Sequence, residues 1–78
     1  MDIKEIMTQF LNWCIKNDME FELDTKFTSR VTFILKIKTD MDVLKNDILK
    51  ITTLQFIIDM AGENIGWNTT GNTINICA

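Results

Sequence analysis

Few side chains in this sequence can do chemistry, and their spacing suits it poorly. Two cysteines, Cys14 and Cys77, stand near opposite ends of the chain. That separation matches no metal-ligand pattern, because structural zinc sites draw thiolates in closely spaced pairs. Cys14 lies in an apolar helical arc and reads as a small core residue. Cys77 has no basic neighbour in sequence that would favour its thiolate. Carboxylates pair as Glu20/Glu22 and Asp40/Asp42. On a strand, Glu20 and Glu22 share a face, as acid–base or metal chemistry would require, but facing lysines explain them as well. Asp40 and Asp42 fit the electrostatics of a helix start. Gly62, Gly66 and Gly71 are spaced as a helix stop and turns, not as a phosphate-binding loop. There is no histidine, which removes the commonest general base and the commonest zinc ligand. The expectation is a protein that is not an enzyme and holds no metal and no cofactor.

The composition points the same way. The 78 residues are 46% hydrophobic and 24% charged, with a formal net charge of −3. That is enough apolar content for a folded core and enough length for one domain, residues 1–78. The acidic balance disfavours a nucleic-acid binder, which needs a basic face against phosphates. No uninterrupted apolar stretch is long enough for a membrane span, so no membrane partner is expected. The absence of a charged-then-apolar leader leads us to expect a cytoplasmic protein with reduced thiols. Asn68-Thr69-Thr70 matches a glycosylation acceptor, which carries no weight in that compartment.

The elements that position these residues follow from periodicity. Asp2, with Glu5 three positions on, resembles a capping box. Ile3, Ile6, Met7, Phe10, Leu11 and Cys14 then recur at helical spacing, with Trp13 and Ile15 widening the arc. Asn17-Asp18 is a plausible stop, since Asn tolerates the left-handed conformation. The period then changes to two. Met19, Phe21, Leu23, Thr25 and Phe27 alternate with charged residues, and Val31, Phe33, Leu35 and Ile37 continue the alternation after a short gap. A hairpin pairing Phe27 with Val31 sets Phe21 opposite Ile37 and Leu23 opposite Leu35. It also sets Glu22 opposite Lys36 and Glu20 opposite Lys38, so both faces agree on one register.

A second N-cap, Thr39-Asp40, opens a run that reaches Ala61 without Pro or Gly, and Gly62 is a natural stop. Val43, Leu44, Ile48, Ile51, Leu54 and Ile58 form its main stripe, ending at Ala61. A strand starting near Ile51 competes, because Thr52, Leu54, Phe56 and Ile58 alternate. Length and caps favour one long helix. Gly71-Asn72 then suits a two-residue hairpin turn that pairs Trp67 with Ile76, Thr69 with Ile74 and Asn68 with Asn75. The expected fold is α+β: a two-layer αββαββ domain, with a four-stranded antiparallel sheet and two helices on one face. Gln9-Phe10-Leu11 before Met19 and Phe21 aligns with Gln55-Phe56-Ile57 before Ile65 and Trp67. This suggests two αββ halves, 1–38 and 39–78.

One feature departs from a simple core. Leu49, Phe56 and Met60 lie opposite the main stripe of the second helix, with Thr53 and Ile57 beside them. A helix apolar on two sides is either sandwiched within the chain or covered by a partner. Trp13, at the edge of its arc, either closes the core's rim or anchors the same interface. The leading expectation is a protein-binding module that self-associates as a homodimer through Leu49, Thr53, Phe56, Ile57, Met60 and Trp13. Asp18, Glu20, Glu22 and Asp24 form an acidic surface that would oppose a basic partner. In style, a small acidic chain without catalytic groups resembles the inhibitors that phages and mobile elements make against host defence proteins, which act by occlusion; no family motif carries the likeness. The alternative is a nucleic-acid-binding accessory protein using Lys26, Arg30, Lys36 and Lys38 of the first hairpin.

Overall fold

A computed structural model describes residues 2–27 and 31–78. Helix α1 spans Ile3–Lys16, strand β1 Phe21–Phe27 and strand β2 Val31–Ile37. Helix α2 (Met41–Leu44) and helix α3 (Ile48–Ala61) follow, then a 3-10 turn at Gly62–Asn64. Strands β3 (Gly66–Thr70) and β4 (Thr73–Cys77) complete the chain. The fold is α+β, with helices packed against one antiparallel four-stranded sheet of order β1-β2-β4-β3. The two hairpins therefore meet through β2 and β4, and β1 and β3 are the edges.

Local chemistry accounts for the ends of α1. The Asp2 carboxylate accepts from the Glu5 backbone N–H at 2.8 Å and satisfies one donor that the helix leaves unpaired. At the other end the Asp18 N–H donates to the Ile15 carbonyl and the Met19 N–H to the Cys14 carbonyl, which is a Schellman motif. The left-handed position is taken by Asp18 (φ 55), one residue later than the sequence suggests.

Both expected registers are present. Phe21 pairs with Ile37, Glu22 with Lys36 and Leu23 with Leu35. Trp67 pairs with Ile76, Asn68 with Asn75 and Thr69 with Ile74. The first strand begins at Phe21 and not Met19, although the Lys38 N–H still donates to the Glu20 carbonyl at 2.8 Å. In the second turn Gly71 alone has positive φ (58), as a type II′ turn requires at its first central position.

The run from Asp40 to Ala61 is not one helix. It breaks at Lys45–Asp47. Asp47 adopts an extended conformation and caps the new helix through the Lys50 N–H (3.2 Å), while the Asn46 amide donates to the Asp42 carbonyl (3.3 Å). Asn and Asp side chains offer backbone groups an alternative to the helical ladder, so two in succession end α2 without Pro or Gly. The break resets the helical phase. Val43 and Ile48, expected on the buried stripe, are exposed, and the buried line of α3 is Leu54, Ile57 and Ala61. A strand at Ile51 does not form.

The core lies between the helices and the inner sheet face. Ile6, Phe10 and Cys14 of α1 meet Phe33, Leu35 and Ile37 of β2 and Ile74 and Ile76 of β4, with Leu44 and the α3 line closing it. Ile15, placed in the apolar arc by periodicity, points to solvent. Trp67 is on the inner face as expected but remains 44% exposed, because β3 is an edge strand. The outer sheet face carries Glu22, Asp24, Lys36 and Lys38 into water.

Candidate protein-docking surface

Helices α1 and α3 pack against each other, and Trp13 is the side chain that joins them. Its indole N–H points at Thr53 Oγ1 (3.0 Å) and at the Lys50 carbonyl (3.2 Å). Trp13 is only 4% exposed, so its large apolar ring is buried while its polar edge finds acceptors, the arrangement a buried tryptophan needs. The Thr53 hydroxyl in turn lies 2.9 Å from the Leu49 carbonyl, which holds it in place as an acceptor. Asn17 closes the end of α1 by donating its amide to the Trp13 carbonyl at 2.8 Å.

Above this junction runs a groove of about 460 Å³. Trp13 and Ile57 lie along it with Leu49 and Phe56, and Gln9, Asn12 and Lys16 supply polar groups. Leu49 is 74% exposed and Phe56 63%. The arrangement is an apolar centre with polar groups beside it. The groove lining contains no histidine, cysteine or carboxylate.

The expected interface residues divide into two sets. Leu49, Phe56 and Met60 are exposed large hydrophobics on α3. Trp13 and Ile57 are core residues, and Thr53 is held by the Trp13 indole. Trp13 therefore closes the rim of the core and is not an exposed anchor. The α1 helix covers one part of the outer α3 surface and leaves the other open.

The acidic residues Asp18, Glu20, Glu22 and Asp24 are all exposed. Asp18 sits at the end of α1, while Glu22 and Asp24 point outward from β1. Glu22 forms an ion pair with Lys38 at 3.6 Å, the diagonal neighbour and not the directly opposed Lys36. Among the described residues no group of three or more His, Cys, Asp or Glu could hold a metal ion. Lys36 and Lys38 share their face with these carboxylates, which dilutes any basic patch. Arg30 and the side chain of Lys26 lie outside the described residues.

Cys14 and Cys77 are both free thiols. Burial pushes the Cys14 thiol up to about 11, which keeps it protonated and inert at neutral pH. Cys77 is exposed on the outer sheet face, across from Gly66 and Ile34. Among the described residues no helix is long and apolar enough to cross a membrane.

Sequence reasoning missed the Trp13–Thr53 bond. Nothing local signals it, since the partners are forty positions apart. It also missed the break at Asp47, whose signal was present in Asn46-Asp47. No family model matches this chain, and comparisons with curated proteins and with solved structures found no significant match.

Proposed function

We propose that this chain is a small non-catalytic protein-binding module that docks a protein partner on the outer face of α3 and acts by occlusion. The observation that carries the reading is the exposure of Leu49 and Phe56 at the lip of an apolar groove. Burying a leucine or phenylalanine side chain fully is worth about 1.5–3 kcal/mol. Scaled to their exposure, these two residues together offer about 2–4 kcal/mol to a partner that covers them, which is the range of an interface hot spot. The absence of histidine supports a role in binding over catalysis.

The module works in the cytoplasm as a homodimer, as an inhibitor of the kind phages and mobile elements direct at host defence proteins. The two free cysteines suit a reducing compartment. The exposed acidic residues near the end of α1 and along β1 favour a partner with some basic surface.

The test is capture from the native host, followed by binding measurements with the purified partner. Phe56→Glu should weaken binding by at least about 30-fold, the equivalent of about 2 kcal/mol, while leaving the fold intact. Unchanged affinity in that variant refutes the docking face. A low-salt mobility-shift titration with duplex and single-stranded nucleic acid should show no complex; a shift that disappears with Lys36→Glu would establish the nucleic-acid reading instead.

A further inference from the structure

We propose that two copies of this chain join edge to edge through β3, so that their two four-stranded sheets run on as one. This rests on the homodimer part of the proposed function, and it moves the seam from the α3 face expected from the sequence to the sheet edge, leaving α3 to the docked partner.

The hydrogen-bond phase of the sheet fixes what the β3 edge offers. Phe33 and Ala78 exchange both backbone bonds, at 3.1 and 3.0 Å. In an antiparallel ladder, bonding alternates residue by residue. Thr73, Asn75 and Cys77 of β4 therefore bond toward β3, and their partners Thr70, Asn68 and Gly66 bond back. Trp67 and Thr69 are left directing their N–H and C=O groups out of the sheet, where none of the described strands lies.

The two edges of the sheet differ in how they are defended. By the same phase, set by the Lys38 N–H to Glu20 carbonyl bond, β1 directs Phe21, Leu23 and Thr25 outward. Along it, Glu22 and Asp24 stand on the open face. Charged side chains along an edge discourage pairing with a second strand. Strand β3 is Gly-Trp-Asn-Thr-Thr, exposed along its length, with no charge and no proline. Two of the usual devices against a second strand, charge and proline, are therefore missing from it.

The β3 edge is also complementary to itself. A two-fold axis beside Asn68 sets Trp67 opposite the partner's Thr69, so the outward-directed residues of each copy meet those of the other and exchange bonds. Asn68 then faces the partner's Asn68 at the non-hydrogen-bonded position, where Cα atoms approach to about 4.5 Å and side chains come closest. The Asn68 oxygen already accepts from the Asn75 amide at 2.9 Å. Its own NH₂ is thereby turned toward the free edge, where the partner's Asn68 supplies an acceptor. The amide row that starts on β4 continues across the axis. On the helical side, half-exposed Trp67 is covered by the partner's Thr69.

The experiment is molar mass by light scattering and sedimentation of the full chain across a concentration series. Wild type should be a dimer. Asn68→Lys, which opposes two ammonium groups at the axis, and Thr69→Pro, which deletes an N–H that the β4 ladder does not use, should each shift the mass to monomer with the circular dichroism spectrum retained. Phe56→Glu should remain dimeric. Asn68→Cys in a Cys77→Ser background should cross-link as a dimer on oxidation, because this register brings the two Cα atoms within disulfide range. A monomeric wild type overturns the proposal. So does a dimer that survives both edge substitutions, or one that is lost in Phe56→Glu. Partner capture reads the docking face independently: it should persist in Asn68→Lys and fail in Phe56→Glu, so either claim can fail alone.

Discussion

Replacing Trp13 with phenylalanine separates what the α1–α3 junction owes to area from what it owes to its hydrogen bonds. The indole is 4% exposed and points its N–H at Thr53 Oγ1 and the Lys50 carbonyl. Losing the second ring removes roughly 40 Å² of buried apolar surface, worth about 1 kcal/mol at 25 cal/mol per Å². The cavity left behind adds a comparable amount, since a packed interior relaxes only in part. The hydrogen bond contributes about 1 kcal/mol net. Its acceptors are not stranded, because the Thr53 hydroxyl also lies 3.0 Å from the Lys50 carbonyl. The total is about 2–3 kcal/mol for Trp13→Phe, against about 3–5 kcal/mol for Trp13→Ala. Urea unfolding at fixed protein concentration measures it, with the slope checked for constancy. A double-mutant cycle with Thr53→Val isolates the bond and should return a coupling of about 0.5–1 kcal/mol. A Trp13→Phe cost below about 0.5 kcal/mol, or strict additivity with Thr53→Val, would refute the junction.

Three further outcomes follow from local chemistry. Asp18 holds the left-handed position that glycine adopts without strain, so Asp18→Gly should stabilise the chain by roughly 0.5–1 kcal/mol in the same unfolding assay. Asp47→Ala removes the cap that starts α3 and should cost about 1 kcal/mol, with a loss of helical signal. The Cys14 thiol has its folded pKa raised from 9.0 to about 11, so the folded state holds its proton more tightly than the unfolded state. Its contribution is fully present below pH 9 and falls as pH rises through 11, by up to about 3 kcal/mol. Cys14→Ala should flatten that alkaline limb, and a thiol reagent at neutral pH should titrate Cys77 alone in the native protein.

The hairpins were legible because two independent constraints agree on each. In the first, Phe21 opposite Ile37 and Glu22 opposite Lys36 select the same register from opposite faces. In the second, the apolar pairing of Trp67 with Ile76 agrees with a glycine at the turn. The start of α1 was legible because Asp2 caps within its own turn. The break at Asp47 was read through because propensity alone is weak and no Gly or Pro marks it. Once the helix restarts, every later residue is rotated, which is why Ile48 emerges and Ile57 turns inward, while Val43 is left on the short α2 that precedes the break. Trp67 shows a different limit: strand parity assigns a face, but burial depends on how far the helices reach across the sheet. Within the candidate site, the spacing of Leu49, Phe56 and Met60 was visible at once. The burial of Ile57 and the bond that Trp13 makes to Thr53 depend on where α1 lies, which no local pattern encodes. The apolar surplus suggested by a composition of 46% hydrophobic residues is thus spread over several exposed side chains, with Ile15, Val43 and Ile48 as open to solvent as Leu49 and Phe56; only the last two line the groove.

The most direct test of the central claim is the affinity of the captured partner for wild type and for Phe56→Glu, measured by titration calorimetry beside the unfolding free energy of each. The docking account predicts at least about a 30-fold loss of affinity with stability unchanged to within about 0.5 kcal/mol, as expected of an exposed position. Equal affinities for the two proteins would contradict it.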